Sequence, residues 1–230
     1  MNKVAKTAIA VVLSFAFCSQ AMAAFVLNGT RFIYDENKKN ITFEVTNNAS
    51  QMYGGQVWVD NTSEGNGIYM VPQPPFFKVG AKQKQIIRIM KTDSSLPTDR
   101  ESLFWLNVQE VPPKPDVKEN RGSVLAIAMN SRVKLIYRPS ALKNGRENAE
   151  KKLTIEQRGD ITWVKNPTPY YMAIVGVQTN GRELKLSDKV TKELTLLAPF
   201  SSVSLGVSAR GSLKIAAIND WGGVQNYEIH

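Results

Sequence analysis

Histidine and cysteine are nearly missing from this 230-residue sequence: each occurs once, as His230 at the last position and Cys18 near the first. A Ser/His/Asp triad would depend on a frayed terminal histidine, and three-histidine or HExxH zinc sites cannot be assembled. No GxxxxGK[ST] phosphate loop occurs, nor a GxGxxG following a strand. Paired carboxylates of the glycosidase kind stay open, because 20 acidic residues offer many accidental pairs. Convincing amphipathic helical patterns of three or more turns are also absent. These absences set aside the common enzyme chemistries and leave binding as the function to test.

The first residues, MNKVAKTAIAVVLSFAFCSQAMAA, place Lys3 and Lys6 before an apolar run over residues 8–17 and close on Ala21-Met22-Ala23. That pattern predicts a secretory signal cleaved after Ala23. A membrane anchor is the alternative, but the run is shorter than the roughly 20 residues needed to span a bilayer. Bulky Phe17 argues against lipid modification of Cys18. Cleavage would leave 207 residues without cysteine and would lower the net charge from +9 to +7. An exported chain without disulfides relies on core packing, which this length can supply. Its basic charge is spread over the sequence, with no block that marks a nucleic-acid or membrane patch.

Strand patterns fill the rest. ITFEVTN (41–47), GGQVWVDN (54–61), QIIRIMKT (85–92), SLFWLNVQEV (102–111) and a long stretch at 123–137 alternate or are rich in β-branched and aromatic residues. Turn signals separate them at Asn47-Asn48, at Glu64-Gly65-Asn66-Gly67, from Pro72 to Pro75, at Gly80 and from Pro112 to Pro115. After Pro139 the texture resumes with KKLTIEQ, ITWVKN, YYMAIVGVQTN, KELTLLAP, SSVSLGVS and SLKIAAIND, all read as strands. The expected architecture is all-β: two immunoglobulin-like β-sandwiches, at 24–140 and 141–230, joined where Pro139 ends the long strand.

That strand, SVLAIAMNSRVKLIYRP, carries Leu125, Ile127, Met129, Val133, Leu135 and Tyr137 at odd positions, interrupted by Ser131. Even positions 126–134 carry Ala126, Ala128, Asn130, Arg132 and Lys134. Two readings fit the alternation. The odd residues pack into their own sandwich, or an edge strand lends them to a partner by strand addition.

The strings GTRFIYD (29–35), LPTDRESLFWLNVQEVPP (96–113), LAIAMNSRVKLIYRP (125–139), NPTPYY (166–171) and INDWGG (218–223) span nearly the whole mature chain. In this order the sequence resembles the periplasmic pilus chaperones of the PapD-like family. The resemblance implies two immunoglobulin-like domains set in an L around a cleft. There Arg31 and Lys134 would grip the C-terminal carboxylate of a pilin subunit by charge-assisted hydrogen bonds. Residues 123–135 would pair with the pilin's last strand, and Leu125, Ile127 and Met129 would fill its open groove. At about 1.5 to 3 kcal/mol for each large apolar side chain buried, three of them supply several kcal/mol before association costs. Lys134 would then pin the register.

The resemblance further implies that Glu101, Arg138 and Asp220 form an interdomain salt-bridge network. It implies a periplasmic protein that is not an enzyme, needs no cofactor, metal or ATP, and delivers subunits to an outer-membrane usher for fimbria assembly. The partners are then proteins, without nucleic acid or stable membrane insertion; self-association in the absence of a client stays open. The loop at 112–123 has the length of the short-loop branch, associated with rod-like pili. The sequence departs from the pattern in lacking a cysteine pair in the second domain and in ending soon after INDWGG, with VQNYEIH, so that domain is expected to lack a final strand or to close differently. An exported immunoglobulin-like binding module and a fimbrial structural subunit are the other readings, and the discriminating observation is whether Arg31 and Lys134 meet in one cleft.

Overall fold

Apolar side chains at every second position give each strand one face to bury, and the chain meets that demand with two pairs of facing sheets. The computed structural model describes residues 23–62, 65–92, 95–114, 127–209 and 211–230. The first sandwich contains β1 (Phe25–Leu27), β2 (Arg31–Asp35), β3 (Asn40–Asn47), β4 (Tyr53–Asn61), β5 (Met70–Gln73), β6 (Phe76–Val79), β7 (Lys84–Lys91), β8 (Ser102–Val111) and β9 (Asn130–Arg138). One sheet runs β1-β3-β7-β5 and the other β2-β9-β8-β4-β6. Phe43, Val45, Ile87 and Ile89 from the first meet Val57, Phe104, Leu106, Leu135 and Tyr137 from the second in one core.

The second sandwich contains β10 (Thr154–Arg158), β11 (Ile161–Lys165), β12 (Ile174–Thr179), β13 (Arg182–Glu183), β14 (Ser202–Ser204), β15 (Leu213–Ile218) and β16 (Val224–Ile229). Its sheets run β10-β11-β14 and β13-β12-β15-β16, closed over a separate core that includes Val164, Ile174, Val177, Leu213 and Ile215. Two 3-10 turns, Ser140–Gly145 and Ala149–Lys152, carry the chain from β9 toward β10.

Several expectations change. KELTLLAP does not form a strand: the helix Asp188–Thr195 takes its first half, capped by the Ser187 hydroxyl, which accepts a bond from the Val190 amide. The helix is only eight residues long, too short for its buried Leu194 to establish a 3.6-residue period in the sequence. Pro72 does not mark a turn. It lies in β5, an edge strand paired only with β7, where the missing N–H costs no ladder bond. The second sandwich, expected to lack a final strand or to close differently, ends in a paired strand. β16 pairs with β15 along its whole length, and the His230 carbonyl accepts a bond from the Ile155 amide.

The long strand expected from 123 begins at Asn130 among the described residues. Met129 remains tied to β8 through its carbonyl, which accepts the Glu110 amide at 3.0 Å. Leu125, most of the loop at 112–123 and residues 1–22 of the leader lie outside the described residues.

Candidate functional site

The first strand of the chain changes sheets. β1 pairs antiparallel with β3, and after Gly29 and Thr30 the chain crosses to the opposite sheet as β2, parallel to β9. β2 pairs with β9 only from Arg31↔Lys134 to Asp35↔Arg138. Residues Asn130 to Val133 of β9 therefore have β8 on one side and, among the described residues, no strand on the other. Among the described residues a strand-wide lane along β9 is open, and the N-terminal end of β2 closes it. A chain entering this lane parallel to β9 would run its C-terminus into Arg31 and Lys134.

Those two cations are neighbours by register, on the face of the sheet opposite its core. Each reaches across to the second sandwich. Arg31 Nη1 donates to the Ile218 carbonyl at 3.1 Å, and Lys134 Nζ donates to the carbonyl of Thr195, the last helical residue. Burial, with the adjacent Arg31 charge second, holds the Lys134 ammonium down to about 8. Burial also lowers Arg31, against the pull of Asp220. Arg31 Nε is buried with no hydrogen-bond partner. Two crowded, partly desolvated cations with a donor to spare make a site for an anion of fork geometry, which a carboxylate has.

A larger ionic cluster lies on the same face. Arg138 Nε donates to Glu101 Oε1 at 2.6 Å, and its Nη1 donates to Asp220 Oδ2 at 2.7 Å. Asp220 Oδ1 lies 3.3 Å from Arg146 Nε, and Arg146 forks onto both oxygens of Glu150 at 2.8 and 3.0 Å. Burial, the largest single influence, pushes the Asp220 carboxyl up, but the Arg138 bond and the charges of Arg146, Arg138 and Arg31 together hold it below its ordinary value. Glu101 is pushed up by burial against Arg138. These opposed effects describe ions removed from water and repaid by partners.

Two sequence strings position this cluster. In NPTPYY the Asn166 side chain donates to the Tyr170 and Ala198 carbonyls and accepts from the Thr168 amide and hydroxyl. That locks a loop whose Pro169 carbonyl accepts the Glu101 amide and whose Tyr171 amide donates to Glu101 Oε2 at 2.8 Å. In INDWGG the Asn219 side chain accepts from the amides of Trp221 and Gly223, closing the turn between β15 and β16. Gly222 has φ of +84°, and a Cβ there would lie 2.6 Å from Thr30 Oγ1. Only glycine lets this turn seat against the residue before Arg31.

The sequence matches the family model of the pili and flagellar-assembly chaperone PapD N-terminal domain over residues 24–143, and that of the pili assembly chaperone PapD C-terminal domain over residues 148–229. The chain belongs to the PapD family of pilus-assembly chaperones. It is 43% identical to chaperone protein FanE of Escherichia coli over 223 residues, which is 96% of each chain. The fold superposes with a TM-score of 0.77 on a chain of the solved Salmonella enterica SafA pilin–SafB chaperone complex, at 27% identity, covering 91% of this chain and 97% of that one. The YadV chaperone structure gives a TM-score of 0.71 at 31% identity, covering 90% and 100%.

Within this PapD-type fold, Arg31 and Lys134 lie side by side and both reach the second sandwich, and Glu101, Arg138 and Asp220 are in direct contact. Ile127 and Met129 are 65% and 50% exposed, whereas Leu135 and Tyr137 from the same stretch are buried. The first reading therefore holds for Leu135 and Tyr137, while Ile127 and Met129 are not spent on their own core. Arg146 and Glu150 escaped the sequence reading. Their i, i+4 spacing is a weak signal, because such pairs usually sit on exposed helix faces.

Proposed function

We propose that this chaperone captures pilin subunits in the periplasm by donating the edge formed by β9 and the residues before it, then delivers them to an outer-membrane usher. The client's last strand occupies the open lane parallel to β9. Its terminal carboxylate takes the spare donors of Arg31 and Lys134, and Leu125, Ile127 and Met129 enter the groove left by the strand a pilin lacks. Fixing the carboxylate sets which apolar residue meets which pocket, since a one-residue slip would turn all three away. Burying Ile127 and Met129 supplies part of the driving force, with the new ladder bonds adding to it. The reading needs no nucleotide and no catalytic group. Glu101, Arg138 and Asp220 hold the sandwiches in the orientation that keeps the lane and the clamp in line. The domain boundary falls near Ser140, and the leader ending at Ala23 provides export.

One observation carries this reading: the free edge of β9 ends at the paired cations. Co-expression with the pilin of the same organism, followed by native mass spectrometry of the periplasmic fraction, tests it. The expected result is a one-to-one complex with the wild type and loss of the complex, with degraded pilin, for Arg31→Ala and Lys134→Ala. A complex that survives both substitutions would overturn the anchor.

A further inference from the structure

The clamp is not built by the first sandwich alone. Arg31 and Lys134 both end on main-chain oxygens of the second, Ile218 at the close of β15 and Thr195 at the end of the helix. Two like charges at paired register repel, and long side chains lose rotamer freedom when fixed, so something must hold them where a carboxylate can meet both. The two carbonyls do this, leaving Arg31 Nε free. A carbonyl clamps a cation only as well as its own segment is held.

The Ile218 carbonyl leads into the turn that contains Asp220, and Asp220 is held from two sides. Arg138 approaches from the first sandwich and Arg146 from the second. Among the described residues, Arg146 makes no hydrogen bond to the first sandwich. It is fastened by the two-pronged bond to Glu150, both groups being buried, and its Nε, which makes no hydrogen bond among the described residues, lies 3.3 Å from Asp220 Oδ1 as an ion pair. Gly222, two residues on, abuts Thr30. The turn is thus wedged between Arg146 behind it and the Thr30-Arg31 segment in front.

We infer that the second sandwich sets the shape of the carboxylate clamp and that Arg146 is the positioning residue: pinned by Glu150, it aims Asp220, and with it the turn whose Ile218 carbonyl holds Arg31. This rests on the subunit-anchoring reading proposed above and adds to it a part of the second domain. Asp220, Arg146 and Glu150 also act on the Arg31 charge directly, so the cluster and the clamp are one electrostatic unit. Loss of Arg146 weakens the grip on a carboxylate specifically, while strand pairing along β9 persists.

The test uses a synthetic peptide copying the last strand of the pilin co-expressed above, made once with a free C-terminal carboxylate and once as the carboxamide. Calorimetry gives the affinity ratio of the two for the mature protein. The wild type is expected to favour the carboxylate by at least about tenfold, the ordinary worth of a hydrogen bond to a charged group. The double variant Arg146→Met, Glu150→Leu, which removes both buried charges together, is expected to bring that ratio to within about threefold of unity while amide binding stays unchanged. Should the double variant not fold, Arg146→Lys keeps the charge but loses the fork onto Glu150 and carries the same comparison. A variant that retains the full ratio, or one that loses both peptides equally, would overturn Arg146 as a positioning residue. A wild type without carboxylate preference would overturn the anchor itself, and Arg31→Met separates the cases because it must flatten the ratio if the anchor stands.

Discussion

At the residue scale, Lys134 is a cation in a place that disfavours cations. Its value of about 8, against an ordinary 10.5, means that between these limits the unfolded chain binds the proton that the folded chain does not. Stability then rises with pH through that window, and the cost of the buried charge is fully present below it. Thermal melts of the client-free protein from pH 7.5 to 10.5 are expected to show this rise, flagged by its loss in Lys134→Met, at about the scale of the linkage relation. Capture has the opposite sign. A client carboxylate favours the protonated amine, so the carboxylate-over-amide affinity ratio falls as pH climbs above about 8, by up to about tenfold per unit. A ratio flat across that range would mean Lys134 does not hold the carboxylate. The resemblance revealed Lys134 by its matched position, since a lysine on the polar face of an alternating strand breaks no local rule. Arg146 breaks none either, and its burial depends on contacts made after the fold is complete.

At the element scale, β9 and the residues before it divide one alternating sequence between two destinations. Leu135 is fully buried in the first core, whereas Ile127 faces solvent. Leu135→Ala is expected to destabilise the chaperone by about 2 to 5 kcal/mol in urea denaturation. Ile127→Asp should leave the urea midpoint unchanged yet reduce recovery of the pilin complex. If Ile127→Asp lowers stability as much as Leu135→Ala, the two halves share one core and the division is wrong. Alternation shows that a strand has an apolar face, and it is silent on whose core that face enters. The same limit explains which elements were legible. β8 is legible with its true bounds because apolar or aromatic residues fill 103–106 and recur at Val108 and Val111. The helix Asp188–Thr195 was read as a strand because two turns cannot display their period. β16, with two inward-facing apolar residues among exposed polar ones, gave no pattern to read.

At the scale of the whole molecule, the Glu101–Arg138–Asp220 contacts join two cores that form separate hydrophobic clusters among the described residues. Arg138→Ala would leave Glu101 buried without its cation, an expected loss of about 3 to 5 kcal/mol, together with a broadened small-angle scattering profile as the sandwiches loosen. Unchanged melting and an unchanged profile would remove the network from the account of domain orientation. The departure of β1 to the opposite sheet has a consequence of its own. It leaves a slot open along its length and shut at one end, with the recognition charges on the shut end. Such a slot accepts the end of a polypeptide and refuses its middle, because a chain that continued past Lys134 would collide with β2 and bring no carboxylate. A protein that binds in this way would test whether its partner's last strand ends at the clamp, and a subunit extended beyond that strand would fail the test.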